Sequence, residues 1–90
     1  MQRIHLIISG LVQGVSYRAW VVDAACDYQI TGWVKNRPDE NVEVMAEGSA
    51  ANLVKFVNRC RQGPPAVRID RITQDELKVT GEFSGFSVIY

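Results

Sequence analysis

Residues 10–18 read Gly-Leu-Val-Gln-Gly-Val-Ser-Tyr-Arg and join a short apolar segment to a segment with helical spacing. Gly10 and Gly14 lack a Cβ, so a loop that contains them can curl tightly. A loop that curls into the start of a helix directs several backbone N–H groups to one side, which creates a site for an anion. Arg18 adds a guanidinium whose planar donors suit phosphate. The segment therefore predicts a strand, a loop and a helix, with a small-phosphate site at the loop.

Outward from this segment, the spacing of apolar residues predicts the other elements of the chain. Ile4, Leu6 and Ile8 alternate with other residues and so predict a strand. Apolar residues at helical spacing follow Ser16 and Ser49, and serine is a favoured N-cap. The predicted strands are 3–9, 30–36, 41–47 and 84–89, with strands or a ribbon at 67–73 and 77–80, and the predicted helices are 17–28 and 49–61.

This order of elements, βαββαβ with an extra short strand near the end, predicts the fold class. It is typical of the ferredoxin-like α/β sandwich (α+β), in which an antiparallel sheet carries two helices on one face. The apolar stripes expected to face the sheet are Tyr17, Trp20, Val21, Ala24, Ala25 and Tyr28 on the first helix, and Leu53, Phe56, Val57 and Cys60 on the second. We expect residues 1–90 to form a single domain.

The composition argues against several classes of function. The chain has 90 residues, of which ten are Lys or Arg and ten are Asp or Glu, so its formal net charge is zero. An electrostatic nucleic-acid binder needs a basic face, so we expect no nucleic-acid partner. No apolar segment approaches the roughly 18 residues of a membrane span. Nothing at the start of the chain resembles a secretory signal, so we expect a cytoplasmic protein that binds no membrane, and a monomer.

The metal-ligating residue types are few and scattered. One His and no cluster of Cys or carboxylates at metal-ligand spacing predict that the protein holds no metal. Cys26 and Cys60 lie far apart in the sequence, and in a reducing cytoplasm we expect two free thiols. Cys60 falls on the apolar stripe of the second helix and should be buried, whereas Cys26 should be exposed.

A second segment of interest, residues 32–36, reads Gly-Trp-Val-Lys-Asn and ends a predicted strand at Asn36. A neutral amide at that point can hold a water in position for in-line attack on phosphorus. Taken alone, however, an Asn before a turn is usually structural. Likewise, a tight turn alone is enough to explain Gly10 and Gly14, and Arg18 taken alone can be an ordinary surface charge.

Together the two segments resemble the signatures of a known family. Residues 10–18 closely resemble the first signature of the acylphosphatases, and residues 32–36 resemble the second. Residues 63–71 and 83–90 are similar to later segments of that family. The resemblance implies a hydrolase that cleaves the carboxyl–phosphate bond of small acyl phosphates, yielding a carboxylate and inorganic phosphate. It implies inorganic phosphate as product and inhibitor, and no metal or organic cofactor.

The resemblance also assigns roles to individual residues. Arg18 corresponds to the phosphate-binding arginine and Asn36 to the water-orienting asparagine of the family, so both are predicted to be catalytic. The family's amide cradle corresponds to the loop before the first helix. The predicted phosphate-binding residues are Val12, Gln13, Gly14, Val15, Ser16, Tyr17 and Arg18.

The chain departs from the family pattern at two turns. Glu40 and Gln29 stand where the family usually has glycine, and a residue with a Cβ is strained at positive φ. Pro38 fixes its own φ and biases Arg37 toward extended conformations. We therefore expect a reshaped turn in which Glu40 has negative φ and Asn41 can take the left-handed position.

Two other functions compete with hydrolysis. The same cradle could serve a non-catalytic binding module for phosphate-bearing ligands, and the Gly-to-Glu40 departure is its only support. Single-stranded RNA binding on the open sheet face would require aromatics interleaved with basic residues, a pattern that the strands lack. A similar domain occurs within larger hydrogenase-maturation carbamoyltransferases. Because this chain ends at Tyr90, we expect a stand-alone enzyme.

Overall fold

The structure is a computed structural model that describes residues 1–14 and 16–90. The elements that it contains follow the predicted order. They are β1 (Gln2–Leu11), α1 (Tyr17–Asp27), β2 (Thr31–Asn36), β3 (Val42–Gly48), α2 (Ala50–Gln62), β4 (Arg68–Leu77) and β5 (Phe86–Val88). Within the described residues, neither helix is long and apolar enough to cross a membrane.

The strands form one sheet in the order β4-β1-β3-β2-β5. β1 pairs antiparallel with both β3 and β4, and β2 pairs antiparallel with β3. The short β5 instead pairs parallel with β2, so the sheet is mixed at this edge. The predicted ferredoxin-like fold class is confirmed, and the chain end is brought beside the strand that ends at Asn36.

The core lies between the two helices and one face of the sheet. Ile4, Leu6 and Ile8 are buried as their alternation predicts. The predicted helical stripes are buried at Tyr17, Val21, Ala24, Ala25, Leu53, Phe56, Val57 and Cys60, with Trp20 and Tyr28 packed against them and partly buried. Both cysteines are free, Cys60 buried and Cys26 exposed, as expected.

The predicted strand at residues 77–80 is wrong. β4 instead continues without a break to Leu77, and the chain then leaves the sheet. The physical reason is Glu47, a buried carboxylate on β3 whose oxygens accept hydrogen bonds from the backbone N–H groups of Thr80 (3.0 Å) and Gly81 (3.2 Å). Those backbone donors therefore serve the carboxylate and not a strand ladder.

The turn between β2 and β3 keeps the conformation that glycine favours. Glu40 has φ 70°, so the expectation of a reshaped turn with negative φ is wrong, and Gln29 has φ 56°. The hairpin is closed by hydrogen bonds from Arg37 N to Asn41 O (2.9 Å) and from Glu40 N to Arg37 O (3.2 Å). Because these bonds bring the strand ends together, the chain must reverse at Glu40 despite the local bias from Pro38.

We expect Glu40→Gly to raise the free energy of unfolding by up to about 1 kcal/mol, because glycine adopts positive φ without the Cβ penalty. The gain is reduced by the greater freedom of glycine in the unfolded chain. Chemical denaturation measures it, with Glu40→Ala as the matched control that removes the carboxylate but keeps the Cβ. Equal stability of the two variants would contradict the assignment of strain to this backbone.

Candidate active site

A cleft of about 260 Å³ opens at the start of α1, between the first helix and the chain end. Two distant sequence segments meet there, since Arg18 in the first turn of α1 and Asn36 at the end of β2 both line it. The other lining residues are Val12, Gly14, Ser16, Tyr17, Ala19, Val88 and Tyr90. The structure therefore brings together the two predicted catalytic residues and most of the predicted loop.

The N-terminus of α1 faces the cleft with little to neutralise it. The first turn of an α-helix leaves backbone N–H groups without helical partners and carries a partial positive charge. Between described residues, the first helical hydrogen bond of α1 runs from Trp20 N to Ser16 O (3.2 Å). Ser16 occupies the N-cap position as predicted, at φ 65°, but its side chain makes no capping hydrogen bond. The first turn carries no acidic residue, so this end of the helix suits an anion.

The two glycines of residues 10–18 have different roles, because Gly10 belongs to β1 and not to the predicted loop, whereas Gly14 lies in the loop. Gly14 has φ 74° and nothing within 4 Å of where a Cβ would stand, so its requirement is conformational. Gly10 sits at the irregularity where β1 shifts register against β4, and a Cβ there would collide with the carbonyl of Arg68. Gly14 therefore shapes the loop at the cleft, whereas Gly10 permits the close approach of two strands.

Arg18 keeps its charge available to a ligand. Its guanidinium carbon lies 5.2 Å from the centroid of the Tyr90 ring, which gives it an aromatic neighbour. Among the described residues it makes no ion pair with a carboxylate, in contrast to Arg3, Arg37, Arg59 and Arg68. A cation held against an aromatic face and lacking an acidic partner attracts an anion in the cleft.

Asn36 lines the same cleft and has one side-chain oxygen without a hydrogen-bond partner among the described residues. It is the last residue of β2, opposite Val42 of β3, so the strand fixes its backbone. Its Oδ1 atom is buried and has no hydrogen-bond partner in the described part of the chain. An unsatisfied buried oxygen is costly, and a water that donates a hydrogen bond to it removes that cost.

Gln13 and Tyr17 do not direct their side chains to the cleft. The Gln13 Nε2 group donates to Arg37 O (2.9 Å) and Asn41 O (2.8 Å). The Tyr17 hydroxyl donates to Cys60 O (2.8 Å), and burial raises the pKa of this phenol well above its ordinary value. Only backbone groups of these two residues can therefore contact a ligand, and Val15 lies outside the described residues.

The sequence did not identify Ala19, Val88 and Tyr90 as residues of the site. Val88 and Tyr90 reach it because β5 pairs with Gly32, Trp33 and Val34 of β2, and Ile89 N donates to Val34 O (2.9 Å). This parallel pairing over three residues has no local sequence signature. The only available signal was the similarity of residues 83–90 to the family's chain end.

Known proteins of similar sequence and structure include acylphosphatases. The sequence model of the acylphosphatase family matches residues 4–88. The acylphosphatase of Methylococcus capsulatus is 44% identical over 89 residues, which cover 99% of this chain and 97% of that protein. The crystal structure of the Bacillus subtilis acylphosphatase superposes with a TM-score of 0.96 at 36% identity and covers 100% of both chains. For an acylphosphatase from Coxiella burnetii the TM-score is 0.91 at 34% identity, over 98% of this chain and 92% of that one.

Proposed function

The chain belongs to the acylphosphatase family and hydrolyses acyl phosphates, and on that premise we propose that Arg18 and Asn36 are its catalytic residues. The reaction cleaves the carboxyl–phosphate mixed anhydride and yields a carboxylate and inorganic phosphate. The alternative of a non-catalytic binding module has no support among the similar proteins. The observation that carries the assignment is that one cleft contains both Arg18 and Asn36.

In this proposal the phosphoryl group is held by Arg18 and by backbone N–H groups of residues 12–18. The positive end of α1 and the guanidinium face the same space, so both act on the charge that develops on the phosphoryl oxygens. Donors that are fixed before the substrate arrives need no reorganisation in the transition state. The loop and Arg18 therefore supply binding and electrostatic stabilisation together.

The attacking water is assigned to Asn36. The free Oδ1 atom accepts a hydrogen bond from a water and so orients it toward a phosphoryl group in the cleft. Tyr17 does not act as a base, since its phenol is buried and donates to Cys60 O, and its raised pKa keeps it protonated. An acyl phosphate has a good leaving group, so the substrate's own oxygens can take the proton.

The positive charge of this site comes from the protein itself. Within the described residues, no three His, Cys, Asp or Glu side chains are grouped to hold a metal ion. Arg18 and the helix N-terminus occupy the place that a cation takes in many phosphoryl-transfer sites. We therefore assign to the enzyme a metal-independent mechanism with no organic cofactor.

Hydrolysis of benzoyl phosphate should survive EDTA with an unchanged rate, because Arg18 and the loop amides provide the electrostatic stabilisation. The measurement compares initial rates before and after chelation and dialysis, with a zinc-dependent phosphatase as the positive control for EDTA. Loss of activity that a divalent ion restores would contradict the metal-independent mechanism.

We also infer which partners the enzyme has and where it is located. Inorganic phosphate is a product that fits the same cradle, so it acts as a competitive inhibitor. On the open sheet face, the Glu43 carboxylate lies 2.6 Å from His5 Nε2, 3.8 Å from Lys35 Nζ and 3.5 Å from an Arg37 nitrogen. These basic groups are therefore paired with a carboxylate, which disfavours nucleic acid as a partner on this face.

Two free thiols suit a reducing cytoplasm, and we assign the enzyme to that compartment as a monomer.

The experiment that tests these roles is the hydrolysis of benzoyl phosphate by wild type, Arg18→Gln and Asn36→Ala. Both kcat and competitive inhibition by inorganic phosphate are measured for each protein. The proposal predicts that the two variants lose turnover for different reasons, one through phosphate binding and the other through the placement of water.

A further inference from the structure

Gln13 belongs to the phosphate loop, yet its side chain contacts the other half of the site. Its Nε2 group donates to Arg37 O at 2.9 Å and to Asn41 O at 2.8 Å. A primary amide has two N–H donors, and both are used here. One loop side chain is thus bonded to the carbonyl that follows β2 and to the carbonyl that precedes β3.

The two acceptors lie at the base of the β2–β3 hairpin loop. Asn41 O also accepts from Arg37 N (2.9 Å), and Arg37 O also accepts from Glu40 N (3.2 Å). A carbonyl oxygen has two lone pairs, so the Gln13 amide completes the bonding of both. Arg37 directly follows Asn36, and the amide therefore fixes backbone one residue away from the proposed water-holding side chain.

Few other hydrogen bonds link the loop to this hairpin. β1 pairs with β3 only as far as Ile8 opposite Val42, and beyond that point its ladder runs with β4. Among the described residues, the two amide bonds of Gln13 are the only hydrogen bonds between residues 12–16 and residues 36–41. Of the hydrogen bonds between these described residues, only those of the Gln13 side chain therefore set the separation between the loop and Asn36.

We propose that Gln13 is a positioning residue, whose side chain sets the distance between the phosphate held by the loop and the water held by Asn36. The inference rests on the proposed roles of Arg18 and Asn36. In-line attack requires the water oxygen to lie about 3–3.5 Å from phosphorus, and an error of about 1 Å can cost 10²-fold in rate. The Gln13 side chain links the loop to the hairpin across the site, and this tether controls that distance without contacting the substrate.

Both a positioning role and a purely structural role for Gln13 would stabilise the protein, so the free energy of unfolding does not distinguish them. Kinetic measurements distinguish the two roles. A positioning residue affects kcat through Asn36 and leaves phosphate binding to the loop and Arg18 nearly intact. A general structural residue would damage kcat and phosphate affinity together, independently of Asn36.

The first test uses Gln13→Met, which keeps the length of the side chain and removes both donors. We expect kcat for benzoyl phosphate to fall by about 10-fold to 100-fold, with little change in KM or in inhibition by phosphate. Gln62→Met, an exposed residue in the last turn of α2 with no side-chain hydrogen bond to a described residue, is the matched control and should keep wild-type kinetics. A wild-type kcat in Gln13→Met, or a parallel loss of phosphate affinity, overturns the proposal.

The second test repeats Gln13→Met in an Asn36→Ala background. If Gln13 acts through Asn36, its substitution there causes little further loss, so the two effects are strongly non-additive. Equal fold-losses in both backgrounds would show that Gln13 acts elsewhere. Retained activity in Asn36→Ala itself would instead contradict the role of Asn36, whatever the result for Gln13.

Gln13→Glu covers the case in which the methionine variant does not fold. The carboxylate keeps the size and polarity of the amide, but when ionised it accepts and cannot donate to the two carbonyls. At neutral pH we expect a loss of kcat at least as large as for methionine, and the added negative charge also weakens phosphate inhibition, so kcat is the readout for this variant. A folded Gln13→Glu protein with wild-type kcat overturns the proposal.

Discussion

Arg18→Gln should lose nearly all hydrolysis of benzoyl phosphate, with kcat lower by about 10²–10³ or more. The guanidinium lines the cleft, makes no ion pair with a carboxylate in the described part of the chain, and stands at the positive end of α1. Glutamine keeps a polar group but removes the charge and the planar pair of donors that phosphate accepts. The loss should therefore appear in phosphate inhibition as well as in turnover.

The measurement is steady-state kinetics with inorganic phosphate as inhibitor. Arg71→Gln is a matched control, because Arg71 is exposed on β4 and does not line the cleft. The control should retain wild-type kcat and phosphate inhibition. Activity of Arg18→Gln near the wild-type level would show that the charge on which catalysis depends lies elsewhere.

Asn36→Ala should also lower kcat severely, by about 10²-fold, because the attacking water loses its fixed position. Phosphate affinity should stay close to that of wild type, since the loop and Arg18 are unchanged. We expect no loss of stability through Oδ1, because this buried oxygen has no partner among the described residues and its removal breaks no hydrogen bond between them.

Asn58→Ala is the control for this variant, since Asn58 is exposed on α2 and does not line the cleft. It should have the kinetics of wild type. If phosphate inhibition collapses in Asn36→Ala in parallel with the rate, then Asn36 binds the phosphoryl group and not the water. Denaturation curves for both variants separate such an effect from partial unfolding.

Much of the fold could be predicted because its causes are local. The alternation of Ile4, Leu6 and Ile8 defines the buried face of β1, and the side chain of Ser49 accepts from Asn52 N (3.2 Å) as an N-cap should. The position of Arg18 after a glycine loop predicted that it lies at the cleft, which it lines. Asn36 could not be found from its residue type, because an asparagine at the end of a strand is common, and its assignment depended on the family resemblance.

The features that sequence reasoning missed depend on contacts between distant residues. Glu47 draws Thr80 and Gly81 out of the expected strand, and hairpin closure imposes positive φ on Glu40 against the bias of Pro38. The hydrogen bonds of Glu47 join residues 33 and 34 positions apart, whereas the conformation of Glu40 depends on the pairing of β2 with β3 and not on the local preference set by Pro38. The tether formed by Gln13 belongs to the same class, since its acceptors are 24 and 28 residues away.

The central claim is that, within one cleft, Arg18 binds the phosphoryl group and Asn36 holds the attacking water. The most direct test is the inhibition constant of inorganic phosphate in Arg18→Gln and Asn36→Ala, measured beside kcat for benzoyl phosphate. The account predicts that Arg18→Gln loses both turnover and phosphate inhibition, whereas Asn36→Ala loses turnover and keeps phosphate inhibition. Equal loss of phosphate inhibition in the two variants, or wild-type turnover in either of them, would contradict it.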